Sequence, residues 1–327
     1  MNKLYPLKFK PVFRDKIWGG NKIKSVLGID YGDLPNCGEA WVLSGVQDNE
    51  TIVSEGFLEG NELNELVEVY MDDLVGGKVY DKHKNEFPIL VKFIDANDYL
   101  SIQVHPDDEL AQKRGLGNGK TEMWYILSAD PGSELIAGFS KPVTQKTYLD
   151  HLHNNKLKEI LNVEKVSEGD VFYMPAGRVH ALGPGILLAE IQQTSDVTYR
   201  IYDWGRTDEQ GNSRELHTEE AMAAIDFKVY DDYRTDYADV KNQSVELVNQ
   251  KHFTTNMIRL DKAMAKNYEE LDSFVIYTCV QGNLRLKYRD GGITNLQMGE
   301  CVLIPNELDH IELHPLTESK LLETFIL

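Results

Sequence analysis

A mainly β fold is predicted, organised as two related β-barrels with a small helical insertion. Three observations predict it. Short apolar runs punctuated by Gly, Pro, Asp and Asn recur along the chain, among them LKFKPVF, AWVLSG, TIVSEG, ILVKFIDA, LSIQVH, EMWYIL, DVFYMP, ILLAEIQQ and VTYRIYDW. Regular short runs of this kind read as strands of a sandwich or barrel. One unit is repeated: GDVFYMPAGRVH (Gly169–His180) and GECVLIPNELDH (Gly299–His310) both fit G-[DE]-x3-[MI]-P-x4-H. The flanking segments Met123–Gly138 and Ser273–Tyr288 match more loosely, which points to duplication of a barrel.

The strand runs are joined by three segments with helical spacing. Asn61–Leu74 carries apolar residues at helical intervals, and so does Thr144–Leu161. Thr218–Ile225 begins at a residue suited to an N-cap, followed by acids in the first turn. Their apolar stripes are expected to face the core. The repeat divides the chain into a catalytic N-terminal unit, residues 1–245, and a degenerate C-terminal unit, 246–327. The barrels proper span about 90–205 and 250–327, and the insertion lies around 141–165.

Composition narrows the function. The 327 residues are 42% hydrophobic and 27% charged, with a formal net charge of −19. That balance suits a globular protein and excludes nucleic acid and anionic membranes as partners in the absence of a basic patch. Cys37, Cys279 and Cys301 are scattered without a C-x-x-C pair, as in a reducing compartment. No signal peptide or apolar run of transmembrane length is seen, so a cytoplasmic location is expected.

Chemistry concentrates in the first barrel. In SIQVHPDDE (101–109), Gln103 and His105 occupy alternate positions and, on a strand, share a face. Glu122 opens the run EMWYIL, and His180 ends the first copy of the repeat. An amide, two imidazoles and a carboxylate, with no thiolate, form a nitrogen and oxygen donor set suited to Zn²⁺ with positions left open. The second barrel lacks a Q-x-H; only Asp272 sits near the place of Glu122, so no metal is expected there and His310 is read as structural. Arg200 returns twenty residues after His180, far enough to place a cation beside the metal, where it can steady an oxyanion or hold a phosphate. Arg178, Lys92 and Arg206 are weaker phosphate candidates, each better read as a surface or salt-bridged residue. Trp18, Trp41 and Trp124 are expected in the core, and His151 and His153 in solvent.

The pattern G-D-x4-P-x4-H resembles the second motif of the cupin jelly roll, which implies that the two barrels are cupin-type jelly-roll β-barrels. More specifically, SIQVHPDDELAQKR, GKTEMWYIL, PAGRVHALGPG and AEIQQTSDVTYRIYDWGR, together with KIWGG (Lys16–Gly20) and GEAWVLSG (Gly38–Gly45), resemble the class I phosphomannose isomerase family in its short bacterial form. The resemblance covers nearly the whole chain. It implies one Zn²⁺ per subunit held by Gln103, His105, Glu122 and His180, with Arg200, Lys120 and Glu190 as catalytic residues. It also implies reversible conversion of mannose 6-phosphate to fructose 6-phosphate through a zinc-stabilised cis-enediolate, in a monomer or homodimer. A metal-dependent cupin dioxygenase and a non-catalytic sugar-binding cupin are the alternatives.

Overall fold

The computed structural model describes residues 3–207 and 210–327. Among these residues the strands form sheets of six, five, seven and four strands. The six-stranded sheet runs Val171–Met174, Glu122–Ala129, Ile186–Gln193, Ile89–Ala96, Glu39–Leu43, Val12–Arg14, with antiparallel neighbours throughout. The five-stranded sheet runs Tyr199–Tyr202, Ile102–Val104, His180–Leu182, Glu134–Phe139, Leu161–Lys165.

Alternation of side chains explains how the sheets stack. One face of the six-stranded sheet sends Ile94, Trp124, Ile126 and Phe172 against Leu135, Ala137 and Leu182 of the five-stranded sheet. Its other face packs Phe93, Tyr125, Val171 and Ala189 against Met257, Ile276, Leu303 and Leu322 of the seven-stranded sheet. That sheet in turn buries Ile258, Tyr277 and Val302 against Leu284, Leu286 and Leu313 of the four-stranded one. The result is four β layers. The expected duplication is present as two facing pairs of sheets, with edges left open rather than closed into barrels. Central strands such as Ile89–Ala96 and Ile186–Gln193 are buried along their whole length, as a strand covered on both faces must be.

Two features were less visible in the sequence. The strand Leu7–Lys10 pairs with Cys301–Ile304 on one side and Ile52–Val53 on the other, so the start of the chain belongs to the C-terminal seven-stranded sheet. Sheet membership thus crosses residue 245. Phe87 and Phe274, with ring centroids 4.6 Å apart, join the two regions again. Each such fully buried side chain contributes roughly 1.5–3 kcal/mol.

The helices are peripheral. Leu63–Val75 opens with a capping box between Glu62 and Glu65. Gln145–His153 is capped by Thr144, whose side chain accepts from the Thr147 N–H. With Thr218–Ala224 it covers the outer face of the five-stranded sheet around Phe139, Tyr148 and Ile201. The insertion therefore holds one helix, a short 3₁₀ turn at Leu157–Glu159 and the edge strand Leu161–Lys165. No helix among the described residues is long and apolar enough to cross a membrane.

Candidate active site

The site lies between the six- and five-stranded sheets and is fixed by two rows of residues in register. Across the five-stranded sheet, Arg200 stands opposite Gln103, and Gln103 opposite His180. Across the six-stranded sheet, Trp124, Glu190, Lys92 and Trp41 align. Glu122 precedes Trp124 by two residues and Glu39 precedes Trp41 by two, so period-two alternation sends all of them toward one face.

His105 follows its strand directly. Pro106 ends that strand, and the adjoining acids are structural. Asp107 caps the helix Asp108–Lys113 by accepting from Leu110 N. Asp108 accepts from Gly119 N and Gln193 Nε2. Gly119 is required by this close approach, because a Cβ there would lie 2.5 Å from the Asp107 backbone carbon. The turn also bonds Lys120 N to the Pro106 carbonyl at 3.0 Å, which sets Lys120 beside the strand bearing Glu122.

His105, Glu122 and His180 offer donor atoms that all lie within 4.8 Å of one another, and all three residues are buried. His105 Nε2 is 3.6 Å from Glu122 Oε2, and His180 Nε2 is 3.4 Å from Oε1. Each imidazole has its other nitrogen fixed: His105 Nδ1 meets the Val197 carbonyl and His180 Nδ1 the Arg178 carbonyl, both at 2.8 Å. A ring N–H donated to a carbonyl leaves the Nε2 lone pair directed at the centre, the arrangement seen around metal-binding histidines. Gln103 completes the group, its amide 3.2 Å from His180 Nε2 and 3.4 Å from Ser101 Oγ. Exchanging the amide oxygen and nitrogen, which are assigned by hydrogen bonding, turns the oxygen to the centre and the NH₂ to Ser101.

These residues fit a divalent cation. Among the described residues His105 Nε2 and both Glu122 carboxylate oxygens are buried without a hydrogen-bond partner, Oε2 having only the Lys120 ammonium 3.3 Å away, an expense that folded proteins rarely leave uncompensated. Burial first, then Lys120 and His180, hold His105 well below the usual imidazole range. Burial likewise brings His180 down to about 4. Both rings are therefore neutral at pH 7, as ligands must be. For Glu122, burial and then Glu190 raise the carboxyl above its ordinary range, against the pull of Lys120 and Lys92.

A cavity of about 300 Å³ opens beside this group, with Glu190, Lys92, Lys120, Gln103 and Arg200 in its wall. Glu190 accepts from Trp124 Nε1 at 2.9 Å and lies 3.3 Å from Lys92 Nζ. Although burial opposes it, Lys92 and Lys120 keep its carboxyl below the normal value. Lys120 Nζ is 3.3 Å from Glu122 Oε2. Burial disfavours its charge, but Glu122 and Glu190 outweigh burial and raise its pKa. Trp18 and Trp124 are buried and also line the cavity.

Other sequence candidates fall outside the cavity or are already paired. Arg178 is buried outside the cavity wall, donates to the Tyr173 carbonyl and stacks on Tyr230 and Tyr233. Lys92 is held between Glu39 and Glu190. Arg206 is committed to Asp203 and the Tyr99 carbonyl. His310 has no place in a core: it is 64% exposed and lies 3.8 Å from Glu269. Its strand places Ile311 and Leu313 inward, the phase opposite to that expected from the repeat. Asp272 accepts from Gly77 N and Lys78 N at the start of another helix. His151 is bonded to the Thr147 carbonyl, and His153 is exposed. Sequence reading missed Lys16, Glu39 and Arg214 in the cavity wall. For Glu39, alternation with Trp41 in GEAWVLSG was the available signal.

Fold and site together define a four-layer β protein whose first two sheets present a buried histidine–carboxylate group, able to hold a metal ion, to a polar cavity. Comparison with known proteins gives the particular family. The family described as phosphomannose isomerase type I, catalytic domain, matches residues 6–162. Mannose-6-phosphate isomerase ManA of Bacillus subtilis is 40% identical over 225 residues, 68% of each chain. The putative mannose-6-phosphate isomerase YvyI of the same organism is 33% identical over 93% of this chain and 94% of its own. The crystal structure of the mannose 6-phosphate isomerase from Bacillus subtilis superposes with a TM-score of 0.87 at 29% identity, covering 98% of this chain and 99% of the other. The chain belongs to the type I phosphomannose isomerases, a family of aldose–ketose isomerases.

Proposed function

We propose that this chain interconverts mannose 6-phosphate and fructose 6-phosphate at the cavity between its first two sheets, through an enediolate. The observation that carries the reading is the convergence of three buried residues with metal-ligating atoms, two of them (His105 and Glu122) with polar atoms left without a hydrogen bond, beside a cavity rich in lysine, arginine and glutamate, in a chain of this family.

Gln103, His105, Glu122 and His180 would hold one divalent cation, zinc on the basis of a nitrogen and oxygen donor set without thiolate. When bound, it supplies electrophilic polarisation of the sugar carbonyl and bears part of the charge that develops there. The chain's own residues do the rest. Aldose–ketose isomerisation removes a proton from the carbon next to the carbonyl and returns one to its neighbour. Glu190 is suited to take that proton. It is ionised, it is anchored through Oε1 by Trp124, and its Oε2, 3.3 Å from Lys92 Nζ, accepts no hydrogen bond among the described residues. Lys120 keeps its charge and stands ready to donate to a sugar oxygen. Arg200 supplies a cation that does not lose its proton at any working pH. The paired sheets exclude bulk water from the far side of the cavity, which strengthens each of these interactions.

The test is an assay of fructose 6-phosphate formation from mannose 6-phosphate, with metal analysis of the same sample. Turnover that is lost on chelation and restored by zinc supports the reading. A protein that consumes oxygen, or that binds the sugar without forming ketose, refutes it.

A further inference from the structure

The substrate's phosphate needs a cation that is not already spent. Most cations in the cavity wall are spent on carboxylates. Lys16 is 3.3 Å from Glu39, Lys92 lies between Glu39 and Glu190, and Lys120 is 3.3 Å from Glu122. Two arginines also line the cavity: Arg200, which has no carboxylate partner among the described residues, and Arg214, which shares its one carboxylate, Asp203, with Arg206. Building on the sugar-phosphate reading above, we propose that Arg214, positioned by Asp203, anchors the phosphate group, with the Nε of Arg200 as the second donor.

Arg200 Nε is buried and has no hydrogen-bond partner among the described residues. Its Nη1 donates only to a neutral acceptor, the Glu215 carbonyl, at 2.8 Å. Among the described residues no carboxylate lies within ion-pair distance of it. Arg214 is delivered by a loop whose ends are clipped by a β-bridge between Thr207 and Ser213. Its Nε donates to Asp203 Oδ2 at 2.8 Å and its Nη2 to Oδ1. Asp203 is 5% exposed and also binds Arg206, so a single buried carboxylate serves two guanidiniums. Arg206 takes further support from Asp98 at 3.8 Å. Asp196, exposed in the same wall, is the acid facing this end of the cavity.

Position fits as well. The strands bearing Arg200 and His180 are separated by the one bearing Gln103, so the row spans two inter-strand spacings, about 9.5 Å. That is comparable with the reach of an extended six-carbon sugar phosphate whose carbonyl end lies at the metal centre. After burial, the charge of Arg214 is the largest influence holding the Arg200 guanidinium below its usual pKa. Two mutually repelling cations on one wall are relieved by a dianion between them.

The experiment compares wild type with Arg214→Met, which keeps the stem and removes the guanidinium. The expected result is a KM for mannose 6-phosphate raised about 10- to 100-fold with kcat within about threefold. The inhibition constant of inorganic phosphate should rise in parallel, with metal content retained. Arg214→Lys should recover part of the KM, and Asp203→Asn should shift KM and phosphate inhibition in the same direction as Arg214→Met. Unchanged KM and phosphate inhibition in Arg214→Met, or a fall confined to kcat, would overturn the assignment while leaving the isomerase reading intact. Should wild type prove not to turn over the sugar phosphate, calorimetry with inorganic phosphate decides separately. Binding lost in Arg214→Met sustains the anion site, and no binding to wild type removes it.

Discussion

Removing the metal should destabilise the whole domain by an amount that follows from the site. Among the described residues three buried acceptors, His105 Nε2 and the two oxygens of Glu122, have no hydrogen-bond partner, and of these only Oε2 has a cation beside it, Lys120 Nζ at 3.3 Å. Each unsatisfied buried polar group costs about 1–3 kcal/mol, so the other two give the metal-free centre a penalty of roughly 2–6 kcal/mol that a bound cation offsets. In linkage terms, free metal at about 1,000 times its Kd adds about 4 kcal/mol to unfolding. Unfolding entropy is about 2.1 cal/mol/K per residue, which over 327 residues converts that energy into a Tm change of about 6 °C. Differential scanning calorimetry with and without a chelator measures it. Glu122→Gln sharpens the test. It removes the anionic donor and supplies an NH₂ able to donate to an imidazole, since the carboxylate oxygens are 3.4 and 3.6 Å from the two rings. That variant should bind far less zinc and show a Tm that hardly responds to chelator. If wild type melts at the same temperature with and without chelator, or if Glu122→Gln keeps stoichiometric metal at wild-type affinity, the reasoning from the orphaned acceptors fails.

Further outcomes are expected. His310→Ala should leave metal content, kcat and Tm within error of wild type, because that imidazole stands in solvent; a loss of bound metal in this variant would return the second repeat to the site. Glu39 is held down to about 2 by Lys92, Lys16 and a bond from Trp41, which together outweigh its burial. A depressed carboxyl contributes stability that is fully present above its unfolded value of 4.5 and is lost as pH falls from there toward 2. The gap of about 2.5 pH units corresponds to roughly 3 kcal/mol, so Glu39→Gln should melt lower than wild type at pH 7, with the two curves converging in acid; a gap independent of pH would contradict this. Burial raises the thiols of Cys37 to about 11 and of Cys279 and Cys301 to about 12. Native protein should therefore resist a disulfide-exchange reagent at pH 8, with all three thiols reacting after denaturation; rapid labelling of the folded state would be the contrary result.

Much of the architecture was legible because its signals are local. Alternating apolar runs, Gly and Pro punctuation and the repeated G-[DE]-x3-[MI]-P-x4-H unit depend on neighbours in the chain. They led to duplicated β units and to helices over Asn61–Leu74 and Thr144–Leu161, which the structure forms as Leu63–Val75 and the shorter Gln145–His153. The metal-site candidates were legible for the same reason. Gln103 and His105 stand two apart, and Glu122 and His180 sit at the first residues of strands. Less visible was anything depending on strand phase or on long-range pairing. The two histidines of the repeat read identically, yet His180 turns inward and His310 outward, because a strand displaced by one residue exchanges its faces. The acids after His105 carry no local sign of their role, and the fold uses them to cap a helix and fasten a turn.

Residue identity and spacing alone determined that two imidazoles, a carboxylate and an amide would be available on the strands of a duplicated β protein, since side-chain alternation is a property of the extended backbone itself. Only the tertiary structure decided which cations are already neutralised and which face the cavity unspent, that the first strands complete the C-terminal sheet, and that Arg214 rather than Arg178 stands beside Arg200. Those facts depend on which distant strands become neighbours. That choice comes from burying large apolar faces together, a sum over the whole chain that no short stretch of it records.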